Sequence, residues 1–318
     1  MKRKLIADIN EGRKIFKYNH LIIVGENNSG KSKMLRDLMK EIGKKSIYFI
    51  DSTNRTIPNK RTEIRKSFGD LKIDELLSTR LKEENFNSRD IFTDLDGNEL
   101  VLNELFVNFD KYKLLFNEIL KIEIAKLTEE TQLSDITQNE EFITFNGDKL
   151  DVISNGIQAM ARITMEVEFA HCSKCEMIFI DEINMNLDHK NSWIFIESLK
   201  AKYPEAKFII TCHSPYTLLG ISDFDILKIN KLYKDIDDNL IEIFDSNDLD
   251  NTEIIDRKIF RGERKRDEKD IILSNCTKLV ILGEELHDDQ VTALKSLNGL
   301  SIRQEVILNY IKERSGKL

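Results

Sequence analysis

The chain has 318 residues, of which 33% are charged and 41% are hydrophobic, and its formal net charge is −8. This length suits one large α/β domain with an appendage. The negative charge argues against a nonspecific DNA-binding protein, and no apolar stretch approaches the roughly 20 residues that a membrane span requires. Residues 1–8 lack the pattern of a signal peptide. We therefore expect a cytoplasmic globular protein, a compartment with which its four cysteines agree.

A glycine-rich segment follows the first strongly apolar run, residues 21–24, which predicts a buried strand. The segment reads Gly25, Glu26, Asn27, Asn28, Ser29, Gly30, Lys31 and Ser32. This is the pattern of a phosphate-binding loop, in which backbone N–H groups surround the phosphates and Lys31 contacts the β and γ oxygens. The Ser32 hydroxyl then binds Mg²⁺. A helix predicted to begin at Lys31 adds the positive end of its dipole, so the segment predicts a nucleoside triphosphate site.

A second apolar run, residues 177–180, predicts another strand that ends in Asp181 and Glu182. In a triphosphatase Asp181 would hold the Mg²⁺, and Glu182 would orient and polarise the attacking water. The alternative is a solvated loop start or a helix cap, which use the same residue types. Taken alone, the acid pair does not decide between the two.

Further segments resemble motifs of one family and occur in its order. Residues 153–158, Ile-Ser-Asn-Gly-Ile-Gln, are similar to the ABC signature Leu-Ser-x-Gly-x-Gln and open a predicted helix. Residues 186–188, Asn-Leu-Asp, resemble the D-loop. A predicted strand at 207–211 precedes 213–215, His-Ser-Pro, which resembles the switch histidine segment. From Met1 to about Asn230 the chain thus resembles ABC-type ATPases of the SMC, RecF and OLD branch, including small stand-alone ATPases of anti-phage defence modules.

The resemblance implies a P-loop NTPase core of α/β class with a mostly parallel sheet, over residues 1–231. It implies a helical insertion at about 55–139 and a small α/β or helical appendage at 232–318. The cofactors would be ATP and Mg²⁺, with Ser32 and Asp181 as metal ligands. The catalytic residues would be Lys31, Glu182 and His213. The nucleotide would also contact Ser154 and Gly156 of the signature and Asp188 of the D-loop.

The same resemblance implies partners. Two copies would enclose two ATP molecules, so that Ser154 and the backbone at Gly156 of one subunit meet the γ-phosphate held by Lys31 of the other. The cycle would gate a separate effector, such as a nuclease or toxin. Two other functions stay open, a DNA-repair or chromosome-maintenance ATPase and the nucleotide-binding subunit of a transporter. No membrane association is expected, and the net charge does not indicate nucleic acid.

The sequence departs from the family at two positions. After the predicted strand at 46–50 the chain reads Asp-Ser-Thr-Asn-Arg through Arg55, where the family has a Q-loop glutamine. This leaves open how the metal site is completed and how the domain is coupled to a partner. An adenine-stacking aromatic also has no secure match. Phe16 and Tyr18 are the candidates, and a position in the core is the alternative for both.

The insertion is expected to be compact. Residues 109–129 have helical apolar spacing, and 141–152 have the pattern of a hairpin with its turn at Asn146 and Gly147. Without sustained heptads, long SMC-type arms are excluded, and a helical lobe offers a surface for a partner.

The remaining patterns each have two interpretations. Residues 278–285 resemble the opening strand and acid of a TOPRIM nuclease domain, but too little chain follows for the later acids. Residues 291–297 and 302–311 predict two helices split by Asn298 and Gly299, which fit a helix-turn-helix or a plain helical hairpin. Two basic clusters fit a solvated charged helix or a nucleic-acid contact: Lys60, Arg61, Arg65 and Lys66, and Arg257, Lys258, Arg261, Arg264, Lys265 and Arg266. Cys172 and Cys175 have zinc-knuckle spacing but also fit a plain loop before the strand at 177.

Overall fold

The computed structural model describes residues 17–25, 27, 29–42, 46–53, 55–58, 67–88, 100–133, 136–229, 241–249, 251–255, 259, 268–282, 285–300 and 302–315. The chain forms two compact units, Met1–Phe260 and Arg261–Leu318. Within the described ranges, no helix is long and apolar enough to cross a membrane.

The first unit is built around a six-stranded sheet in the order β2-β6-β7-β1-β8-β9. Its strands are β1 (His20–Val24), β2 (Ile47–Ile50), β6 (Met177–Ile180), β7 (Lys207–Cys212), β8 (Phe224–Ile229) and β9 (Ile241–Asp245). All neighbours are parallel except β8 and β9, which are antiparallel. The apolar run of β1 is fully buried, as expected for a strand covered on both faces. The predicted α/β class with a mostly parallel sheet is confirmed.

Helices cover both faces of this sheet. The described helices of the unit are α1 (Lys31–Ile42), α2 (Ile73–Arg80), α3 (Leu100–Val107), α4 (Phe109–Leu120), α5 (Asn155–Cys172), α6 (His189–Lys202), α7 (Pro215–Leu218) and α8 (Thr252–Ile255). Leu21 and Ile23 of β1 belong to the same core cluster as Met34 and Leu35 of α1. Ile22 belongs to the cluster that contains the α5 residues. Alternation along β1 therefore places α1 and α5 on opposite faces.

The insertion is only partly helical. The helix predicted over 109–129 is wrong beyond Leu120, because Lys121 has a left-handed φ of 57° and ends α4. From Ile122 the burial alternates, and the chain forms β3 (Ile124–Leu133). This strand pairs antiparallel with β4 (Ile136–Phe145), which continues through the predicted turn at 146–147 into β5 (Asp148–Lys149). The hairpin predicted at 141–152 is thus confirmed, as part of a longer β-ribbon.

The end of the first unit differs from the predicted boundary at residue 231. Strand β9 pairs with β8 in the main sheet, so the polypeptide stays in this unit beyond 231, and the unit extends to Phe260. Both basic clusters named above lie outside the described residues, and so does Phe16.

The second unit is helical in its described part. It contains α9 (Glu268–Leu282), α10 (Asp288–Ser296) and α11 (Ile302–Ser315). Its core is formed by Leu273, Cys276, Leu286, Leu294 and Ile311. The two helices predicted in this region are confirmed. The strand suggested by the TOPRIM resemblance is wrong, because Lys278–Leu282 is the last part of α9.

Candidate functional site

The glycine-rich loop joins the end of β1 to the first residue of α1. The Lys31 ammonium is 4% exposed and donates to the Gly25 carbonyl oxygen at 3.2 Å, so the loop folds around its own lysine. Gly30 has a φ of 96°, which side-chain-bearing residues rarely adopt. Asn27 is exposed. Two predicted ligands lie outside the described residues: Glu26 and Asn28.

The described loop residues fit a triphosphate with Mg²⁺. The Ser29 hydroxyl oxygen is buried and has no hydrogen-bond partner within the described part of the chain. A buried polar group without a partner is costly, so this orphan hydroxyl suits a ligand oxygen. The Ser32 side chain is close enough to the Asp181 carboxylate to act on it as a hydrogen-bond donor. A hydroxyl beside a carboxylate is the hard oxygen donor set that Mg²⁺ prefers.

Asp181 lies at the end of β6 and is fully buried. The Thr211 hydroxyl of the neighbouring β7 donates to one carboxylate oxygen, and the Asn87 amide donates to the other. Burial raises the pKa of Asp181 above its ordinary value, and the hydrogen bonds from Thr211, Ser32 and Asn87 act in the opposite direction. Because burial disfavours the ionised form of this carboxyl, a bound cation would stabilise the carboxylate.

Glu182 lies in a left-handed backbone conformation, with a φ of 48°. Its N–H donates to the Thr211 hydroxyl at 2.7 Å. Its carboxylate lies 3.4 Å from the Lys31 ammonium and 2.5 Å from Nδ1 of His213. Nε2 of the same imidazole is 3.3 Å from the Asn184 amide nitrogen. The structure therefore brings the three predicted catalytic residues, Lys31, Glu182 and His213, into contact.

Two side chains that no motif indicated also reach this site. Asn87 has a left-handed φ of 53°, and its amide oxygen accepts from the Ser52 N–H at 3.0 Å. That bond directs the amide nitrogen at Asp181. Arg55 is 3% exposed and donates to the backbone carbonyls of Asp181 and Glu182. Both contacts join segments more than 90 residues apart, so local sequence patterns carry no signal for them.

The signature residues form a second group with the D-loop. Ser154 is the N-cap of α5, and its hydroxyl accepts from the Ile157 N–H at 3.3 Å. A Cβ at Gly156 would lie 2.6 Å from the Asn186 carbonyl oxygen, so only glycine allows the D-loop this close. Asp188 caps α6. The three predicted ligands Ser154, Gly156 and Asp188 line one open cavity of about 310 Å³.

The helix that follows the D-loop packs directly on the segment that follows His213. The Ser192 hydroxyl of α6 lies 3.0 Å from the Thr217 hydroxyl of α7. The indole of Trp193, the single tryptophan of the chain, covers Gly220, where a Cβ would come within 2.1 Å of the ring. These contacts connect the second group with the first.

The other sequence candidates lie elsewhere in the unit. The Tyr18 hydroxyl donates to Asp245 at 3.2 Å and accepts from the Asn247 amide at 3.0 Å, at the end of β9. Adenine stacking by Tyr18 stays a prediction. All four cysteines are free; Cys172 is the last residue of α5, and Cys175 lies in the loop between α5 and β6.

Comparisons with known proteins concern the fold. No protein-family model and no curated protein matches the sequence. The chain is similar to an Smc head bound to the C-winged helix domain of ScpA, with 11% identity, a TM-score of 0.39, and coverage of 71% of this chain and 89% of that one. It is similar to a metal-chelate type ABC transporter in an inward-facing conformation, with 16% identity, a TM-score of 0.35, and coverage of 73% of this chain and 74% of that one. It is also similar to an SMC head domain from Thermotoga maritima, with 16% identity, a TM-score of 0.36, and coverage of 71% of this chain and 90% of that one.

Proposed function

We propose that the chain is an ABC-type ATPase that binds ATP with Mg²⁺ and hydrolyses it to ADP and phosphate. The observation that supports this function is the meeting of a phosphate-binding loop, an acid pair and a histidine at the carboxyl edge of a parallel sheet. Lys31 and Glu182 are 3.4 Å apart, and Glu182 and His213 are 2.5 Å apart. This edge is where ligands bind in open α/β sheets.

Each residue has a distinct chemical role in this proposal. The Lys31 ammonium donates to the β and γ phosphate oxygens. The Ser32 hydroxyl and the Asp181 carboxylate hold Mg²⁺, which neutralises phosphate charge when it is bound. The Glu182 carboxylate accepts a hydrogen bond from the attacking water and orients it. His213 fixes the rotamer of that carboxylate at 2.5 Å and would contact the γ-phosphate when ATP is bound.

We further propose that two copies associate around ATP. Ser154 and Gly156 line the open 310 Å³ cavity, and Ser154 is exposed. The N-terminal end of the 18-residue helix α5 is also there, and its dipole favours an anion. In an antiparallel pair this end would face the γ-phosphate that the other copy's Lys31 holds.

A mixing experiment tests the composite site. Ser154→Arg should place a bulky side chain against the partner's phosphate pocket, while Lys31→Ala removes the phosphate contact in its own copy. Each variant alone should lose activity. In a mixed dimer both defects fall in one composite site, so the other site is intact and partial ATPase activity should return. If the parent shows no Mg²⁺-dependent hydrolysis, the ATPase assignment is wrong, and if the mixture stays inactive the sandwich is not supported.

The biological role follows from the resemblance alone. We propose that the cycle gates a separate effector, a nuclease or toxin, in a cytoplasmic anti-phage defence module. Co-purification with a tagged chain should yield that effector in an ATP-dependent manner. A DNA-repair ATPase would instead show hydrolysis stimulated by DNA and an affinity for DNA that falls steeply with salt.

A further inference from the structure

Arg55 is a buried arginine whose guanidinium binds backbone carbonyls of the catalytic turn. It is 3% exposed. Nε donates to the Asp51 carbonyl at 2.9 Å, Nη1 donates to the Glu182 carbonyl at 2.9 Å, and Nη2 donates to the Asp181 carbonyl. The fork of five N–H donors in a guanidinium can serve all three carbonyls from one side chain.

The turn at 181–182 lies beyond the regular pairing of the sheet, because strand β6 ends at Ile180. The Glu182 carbonyl accepts from the Met185 N–H at 3.0 Å as well as from Arg55, and the Asp181 carbonyl accepts from Arg55. Glu182 also has a positive φ of 48°, a conformation that costs energy for a residue with a side chain. Removing a donor from a buried carbonyl costs more than the net gain of an ordinary hydrogen bond. The position of the Glu182 carboxylate therefore depends on what holds its own carbonyl.

The polypeptide around Arg55 is bonded to the signature helix as well. The Ile57 N–H donates to the Gln158 side-chain oxygen at 3.1 Å, and the Arg162 guanidinium donates to the Thr56 carbonyl at 2.9 Å. Gln158 and Arg162 are one turn apart on α5. Residues 55–57 are thus hydrogen bonded to the catalytic turn through Arg55 and to the signature helix through the next two residues.

We infer that Arg55 is a positioning residue for hydrolysis, which holds the turn of Asp181 and Glu182 and ties that turn to the signature helix. This inference rests on the proposed ATPase function. Arg55 acts through the backbone of Glu182, so its loss should change turnover rather than nucleotide affinity. A displacement of about 1 Å at a reacting group costs up to roughly a hundredfold in rate.

The first test is the kinetic split in Arg55→Ala. We expect kcat for ATP to fall about tenfold to a hundredfold, while the dissociation constant for ATP stays within about threefold of the parent value, because Lys31 keeps its own contacts. Arg55→Lys should recover part of kcat, since one ammonium can bind one or two of the three carbonyls. Parent kcat in Arg55→Ala, or a loss of ATP affinity equal to the loss of kcat, would overturn the inference.

The second test is hydrogen exchange, with Arg36→Ala as the matched control. The Arg36 guanidinium also donates to a backbone carbonyl, that of Leu81, through Nε at 3.3 Å and Nη2 at 3.1 Å. The amides to follow are those of Glu182 and Ile183, which donate to Thr211. We expect exchange in the segment 181–183 to become at least about tenfold faster in Arg55→Ala and to match the parent in Arg36→Ala. Equal acceleration in both variants would mean that Arg55 has no special role in holding the turn. This readout decides about Arg55 even if the parent fails to hydrolyse ATP.

Discussion

Replacing Glu182 by glutamine should move nucleotide binding and hydrolysis in opposite directions. The Glu182 carboxylate lies 3.4 Å from the Lys31 ammonium, and the two side chains are 20% and 4% exposed. An incoming phosphate must take over that ammonium, so the ion pair competes with ATP. Glutamine has the same shape without the charge, and it removes this competition while it also removes the group that orients water.

The magnitudes follow from these contacts. An ion pair with one partly exposed member contributes up to about 1 kcal/mol. Since 1.4 kcal/mol is a factor of ten in affinity, Glu182→Gln should bind ATP up to about fivefold more tightly. Loss of the carboxylate that accepts from the attacking water should slow hydrolysis by about 10² to 10⁴.

Calorimetry with ATP and Mg²⁺, and a phosphate-release assay, measure the two effects separately. Glu176→Gln is the matched control, because Glu176 is exposed just before β6 and the substitution changes the net charge by the same amount. The control should behave as the parent in both assays. ATP binding weakened tenfold or more in Glu182→Gln, or unchanged hydrolysis, would refute the roles given to Lys31 and Glu182.

Three further predictions use other contacts of the site. Lys31→Ala should abolish tight ATP binding in calorimetry, whereas Lys40→Ala, exposed at the far end of the same helix, should leave it intact. Burial raises the pKa of Asp181 above the unfolded value of about 3.9, so without Mg²⁺ the free energy of unfolding should fall as pH rises from about 4 through the folded pKa. Urea unfolding at several pH values should show this slope in the parent and a flatter one in Asp181→Asn. In Gly156→Ala the new Cβ would lie 2.6 Å from the Asn186 carbonyl oxygen, so the D-loop must move away. Sedimentation should then show no ATP-dependent dimer, and dimerisation equal to the parent's would contradict the close packing.

The strands and helices that carry motifs could be predicted because their signals are local. The strand before Gly25, the helix from Lys31 and the helix capped by Ser154 are each specified within about ten residues, by apolar runs and capping chemistry. The neighbours of the acid pair could not be predicted in this way. Asn87 and Arg55 reach Asp181 and Glu182 through contacts across more than 90 residues, beside the pairing of β2 with β6, and no local pattern assigns them this role.

Two errors in the predicted elements have physical causes. The apolar residues of 109–129 change from helical spacing to alternation near Ile122, and a window that spans both parts resembles one long helix. The break is set by Lys121, a residue type with no preference for the left-handed conformation it adopts. The TOPRIM resemblance predicts a strand at 278–282, but a short apolar run fits a strand and a buried helix equally well, and here it is helical.

The position of the single tryptophan has a practical consequence. Trp193 lies on the helix that follows the D-loop, and its indole covers Gly220 in the segment that follows His213. Its emission therefore comes from one known place, between the two elements that would have to respond when a γ-phosphate arrives or leaves. The unlabelled chain carries its own fluorophore, and stopped-flow mixing with ATP can time local rearrangement against phosphate release without any added dye.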